Sequence, residues 1–67
     1  MNYAALLKHI REELCVTQME LADMLEVSFA SVNRWENDRL EPTMKAKRKI
    51  KELCKRNKIK MEDFKGE

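Results

Sequence analysis

Glycine and proline are nearly absent from this chain, with one of each in 67 residues. Aromatic residues make up only 6%, and β-branched residues are few, so strands are poorly supported. There is no internal repeat and no low-complexity linker. The two cysteines, Cys15 and Cys54, form no CxxC pair and are too few to staple a small secreted domain. They read as free thiols of a reducing compartment, so a cytoplasmic protein is expected. The single histidine, His9, has no helical ligand partner, so no metal site is expected. The start, MNYAALLKHI, lacks the basic residues that precede the apolar stretch of a signal peptide. No stretch approaches the roughly 20 apolar residues of a membrane span, so no membrane partner is expected. A chain of this length makes at most one small domain, burying about 60% of its unfolded surface. That leaves little room for a substrate cleft. No acid/base pair or nucleophile–base set shares a helical face, so neither an enzyme, a cofactor nor a small-molecule ligand is expected.

What is present favours helix. Alanine, leucine, methionine, glutamate, lysine and arginine dominate, and 39% of residues are charged. The charge is unevenly spread, although the net value is only +2. Residues 1–42 hold four bases against eight acids, a net −4. Residues 43–60 hold nine bases against Glu52 alone, a net +8, and the tail 61–67 carries −2. A block of one sign points to a polyanionic partner or to a solvated helix face.

Periodicity and capping residues predict four helices. Asn2 caps the first, over 3–14, in which Tyr3, Leu7, Ile10 and Leu14 form the apolar stripe and Leu6 lies at its edge. TQME, from Thr17, is a capping box that opens a second helix over 18–25. Leu21, Ala22 and Leu25 face inward there, and Ala22 lets another helix come close. Ser28 caps a third helix over 29–36. At 100° per residue, Val32, Trp35 and Glu36 share one face with Ser28; Ala30, Asn33, Arg34 and Asn37 share the opposite one. Phe29 stands on the flank between them. NDRLEPT is a loop, and Thr43 caps a fourth helix over 44–56 with Ala46, Ile50, Leu53 and Cys54 as its stripe. Residues 58–64 form a final turn or short helix carrying Ile59, Met61 and Phe64. Met19 and Met24 are peripheral, and Met44 borders the core. The expected fold is therefore all-α, a compact bundle of four or five short helices in one domain spanning 1–67.

Two short helices joined by three residues, the second with a free polar face, describe a helix-turn-helix over 17–37. The segment IREELCVTQMELADMLEVSFASVNRWENDRLEPT closely resembles the Cro/repressor-type family, also called the xenobiotic-response-element type. Arg11, Thr17, Gln18, Leu21, Ala22, Val27, Ser28, Val32, Trp35, Glu36 and Pro42 all stand at the family's spacing. The resemblance covers about residues 6–56 and implies a lambda-repressor-like DNA-binding domain. Three family glycines are replaced, by Cys15, Glu26 and Asp38. Glu26 stands in the turn, where a left-handed backbone costs a residue with a side chain about 1 kcal/mol. Asp38 tolerates that region better.

The resemblance implies that the 29–36 helix lies in the major groove of double-stranded DNA. Phe29, Ala30 and Arg34 take base-facing positions, with Ser31 and Asn33 nearby. Gln18 contacts the phosphate backbone and buttresses the recognition helix, and Asn37 matches a phosphate-contacting position. Arg11 and Glu36 pair between the first and third helices. Each role has a plainer rival. Arg34 either forks onto guanine or meets phosphate and solvent. Asn33 either pairs with adenine or serves the backbone through water. Ala30 either touches a thymine methyl or provides clearance, and Ser31 either touches phosphate or is inert. Phe29 either covers a thymine methyl or leans back on Gln18 or Val32. Trp35, beside Val32, is core.

The fourth helix opens with Lys45, Lys47, Arg48 and Lys49, against its own dipole and with like charges four apart. In the family that end sits near the DNA backbone. Arg39 and Lys45 are the expected phosphate contacts, with Lys49 weaker and the later lysines a solvated face. Cys54, Ile59, Met61 and Phe64 either form a homodimer contact or close the core. The functional expectation is sequence-specific binding by a small, repressor-like transcriptional regulator. The rival is a protein-interaction module, such as an antitoxin-like partner, which the acidic first half keeps open.

Overall fold

In the computed structural model, which describes residues 1–64, four α-helices follow one another in the expected order. They are α1 (Tyr3–Leu14), α2 (Gln18–Leu25), α3 (Phe29–Glu36) and α4 (Met44–Arg56), followed by a 3₁₀ turn, Glu62–Phe64. Lys65 and Glu67, two of the tail charges counted above, lie outside the described residues. No described helix is long and apolar enough to cross a membrane.

Each start is fixed by a side-chain cap that satisfies an otherwise orphaned backbone N–H. Asn2 accepts from the Ala5 amide at 3.1 Å, Ser28 from Ser31 at 3.1 Å and Thr43 from Ala46 at 3.2 Å. At α2 the capping box is complete: the Glu20 amide donates to Thr17 Oγ1 at 3.1 Å, and the Thr17 amide to Glu20 Oε1 at 2.8 Å. The ends are fixed by left-handed residues. Cys15 (φ 56°), Glu26 (φ 59°) and Asp38 (φ 58°), which replace the three family glycines, all adopt this conformation. A fourth, Lys58 (φ 58°), follows α4 and was not foreseen. There the Ile59 amide reaches back to the Cys54 carbonyl at 2.8 Å, turning the chain toward α1.

One core joins all four helices. Leu6, Leu7 and Ile10 of α1 meet Leu21 and Leu25 of α2, Val32 and Trp35 of α3, and Ile50 and Leu53 of α4. Leu6, read as the edge of its stripe, is fully buried. It joins the core cluster shared by all four helices, and α1 packs against both α3 and the 3₁₀ turn. Ala22 and Ala46 are the buried small residues of α2 and α4, which lie against each other.

One further sequence expectation changes, and one open alternative is decided. Met44, placed at the core border, is 64% exposed at the first position of α4. Cys54 and Ile59, offered either as dimer contacts or as residues that close the core, are buried at 1% and 9% exposure, which is the second alternative. They close the core because the left-handed turn at Lys58 folds Ile59 back under α4. Burial also pushes the Cys54 thiol up, away from the reactive thiolate. Phe64 is half-buried against His9, with ring centroids 5.1 Å apart, and its carbonyl accepts from the Asn2 amide at 2.6 Å.

Candidate nucleic-acid interface

The third helix is held by its buried face. Val32 and Trp35 enter the core, and Glu36, the one buried charged residue described, is 3% exposed. Its carboxylate is fully engaged. Arg11 of α1 donates from Nε to Glu36 Oε2 at 2.7 Å and from Nη2 to Oε1 at 2.9 Å. Gln18 at the start of α2 donates from Nε2 to Oε1 at 2.9 Å. This fork ties three helices together at one point and raises the Arg11 pKa, chiefly through the hydrogen bonds to Glu36.

The chain of polar contacts continues to the exposed side. With its Nε2 committed to an acceptor, Gln18 presents Oε1 outward, and Asn33 Nδ2 donates to it at 3.2 Å. Asn37 in turn donates to the Asn33 carbonyl at 2.8 Å and to Asn33 Oδ1 at 3.3 Å. Each amide is oriented by the one before it, and the series begins at an acceptor-only carboxylate. Gln18 thus buttresses α3 directly. Asn33 is half-buried and spends hydrogen bonds on neighbours, though one Nδ2 hydrogen remains for another partner.

Beyond Asn33 the surface opens into a concavity of about 650 Å³ lined by Phe29, Ala30, Asn33, Arg34, Asn37, Arg39 and Leu40. All four base-reading candidates and two of the five backbone candidates meet there. Phe29 is 47% exposed, so it does not close over the core. The hollow contains two arginines and no acid, and neither arginine is ion-paired among the described residues. Leu40, 57% exposed, is a member that the sequence reading missed. Its signal was an apolar residue in an otherwise polar loop.

The remaining candidates lie elsewhere. Ser31 is half-buried, and its hydroxyl accepts from the Ser28 hydroxyl at 3.0 Å within the first turn of α3. Lys45 is exposed at the start of α4, beside the turn between α2 and α3. Lys49 bonds the Glu26 carboxylate, clamping α4 to that turn and holding the carboxyl below the usual range. Lys47 bonds Glu41 in the loop before α4, which holds that carboxyl below the usual range, and lies 5.5 Å from the Tyr3 ring centre. Neither ion pair was foreseen.

A family model described as Helix-turn-helix matches residues 7–64, most of the chain. The chain belongs to the Cro/C1-type helix-turn-helix family. This is a family of DNA-binding transcriptional regulators, and the all-helical architecture fits it. No curated protein and no solved structure matches the chain. Membership extends the resemblance past α4 to the 3₁₀ turn. It also gives the left-handed Glu26 a meaning: family turn geometry is kept here without the family glycine.

Proposed function

We propose that this protein is a small, repressor-like transcriptional regulator that reads duplex DNA with α3 in the major groove. The observation that carries this reading is the acid-free hollow around Arg34 and Arg39, on the face of α3 opposite its buried residues. An α-helix fits the major groove, where a forked arginine meets guanine O6 and N7. Arg34 is assigned that contact. Phe29 and Ala30 supply apolar surface for thymine methyls. Asn33 uses its remaining hydrogen on a base edge, held in place by Gln18 and Asn37. Arg39, Lys45 and Ser31 are assigned to the phosphate backbone, together with Gln18 through its second Nε2 hydrogen and Asn37 by giving up its longer bond to Asn33; these contacts set register and supply salt-dependent affinity. The functional unit is the single domain 1–67, with its helix-turn-helix at 17–37.

The test is selection of bound sequences from random duplex DNA, with Arg34→Ala in parallel and sedimentation to fix stoichiometry. An enriched site whose preference relaxes at one position in the variant supports the assignment. No enriched site, or identical enrichment in both proteins, overturns it.

A further inference from the structure

A second hollow, larger than the one beside α3, lies elsewhere on the molecule. It is a groove of about 950 Å³ between the start of α1, the outer face of α4 and residues 58–62. It shares no lining residue with the hollow around Arg34. Its apolar lining includes Tyr3, Met44, Ile59 and Met61. Around these stand Arg48, Lys51, Lys55, Lys58 and Lys60, none of them ion-paired among the described residues, against one lining acid, Glu62.

This combination selects its occupant. Lys51 and Lys55 are like charges four apart on one helix, a cost that a neutralising partner would relieve. A nucleic-acid backbone would meet the cations but leave the methionines and Tyr3 without an apolar counterpart. A twofold contact between two copies would set the same five cations against each other. An acidic amphipathic helix satisfies both features, apolar stripe on the floor and carboxylates along the rim. Methionine side chains adapt well to such a stripe.

We infer that this groove docks an acidic amphipathic segment of a second protein. The inference rests on the charge and shape of the groove and stands apart from the DNA-reading assignment.

The probe is a fluorescein-labelled synthetic peptide of about 15 residues, three to four helical turns, with leucines on one stripe and glutamates elsewhere. Binding is read by anisotropy against the full chain, with a scrambled peptide of the same composition as control. The striped peptide is expected to bind at least about ten-fold tighter than the scrambled one. Lys51→Glu/Lys55→Glu should weaken it by a similar factor, and Met44→Gln should weaken it less. All three positions are exposed, so circular dichroism should be unchanged. Duplex DNA added to the complex should leave the peptide bound. Equal binding of the scrambled peptide, no loss in the double variant, displacement by duplex, or no binding at about 100 μM would each overturn the proposal. Tighter binding of anionic phosphatidylglycerol vesicles than of the striped peptide would overturn it in favour of a lipid surface.

Discussion

Replacing Arg11 with methionine keeps most of the aliphatic stem but removes the guanidinium from Glu36. The carboxylate then loses both charge-assisted bonds, at 2.7 and 2.9 Å, and keeps only the Gln18 amide. A buried charge stripped of its partner costs about 3–5 kcal/mol. The lower end applies, because the Arg11 side chain is 28% exposed and water can reach the vacated space. At 0.05–0.15 kcal/mol per residue, a chain this long has roughly 3–10 kcal/mol in hand. The substitution therefore removes a third or more of it. With about 4–8 °C per kcal/mol for a domain of this size, the melting temperature should fall by roughly 12–24 °C. Thermal and urea unfolding of the wild type, Arg11→Met, Glu36→Gln and the double variant would form a complete cycle. Glu36→Gln alone should cost less, because the arginine can turn to solvent. The double variant should recover most of the loss, since no unpaired charge stays buried. A fall of under about 4 °C for Arg11→Met, or strictly additive losses in the double variant, would refute the view that this fork is a committed buried site.

The left-handed residues give a second prediction. Cys15→Gly should raise the melting temperature by a few degrees, because it relieves a backbone cost of about 1 kcal/mol; an unchanged or lower value contradicts this. Glu26→Gly should gain less, since the bond to Lys49 is lost with it. Glu26 also carries a pH dependence. Lys49 lowers its folded pKa, so its stabilisation is present above the unfolded value, about 4.3, and disappears as pH falls through the folded value. The gap in urea midpoint between wild type and Glu26→Gln should be visible at neutral pH and close in acid. In 1 M salt it should shrink at neutral pH too, because the pair is exposed. For DNA binding, Lys45→Ala should lower the salt slope of the affinity by about one unit and leave base preference unchanged. A changed base preference would move Lys45 from the phosphates to the groove.

The helices were legible because their caps are local. Asn2, Thr17, Ser28 and Thr43 each hydrogen-bond three residues ahead, a relation that sequence spacing states directly. The inward faces followed from periodicity, and the left-handed residues Glu26 and Asp38 from the glycines that the family resemblance places there; Cys15 stands at a third such position. Periodicity says nothing about packing angles, and the misses lie there. The Lys49–Glu26 pair joins residues 23 apart and depends on how α4 crosses the turn. Leu6 changed class because α1 packs against both α3 and the 3₁₀ turn. At the candidate site, the wheel placed Asn33 and Arg34 on the free face, and the Arg11–Glu36 pair came with the resemblance. The continuation from Glu36 through Gln18 to Asn33 did not, because amide orientation is decided by contacts in space.

The bond from Asn2 to the Phe64 carbonyl has a kinetic consequence. It closes nearly the whole chain, and closure entropy rises with the length enclosed. The α2–α3 hairpin, by contrast, closes over only a few residues. The clasp between the two ends is accordingly a late event in folding and the first contact to open in the native state. Hydrogen exchange should find the Asn2 amide weakly protected and the α3 amides strongly protected. The ends can then come apart and rejoin many times while the helix that carries Arg34 stays in register.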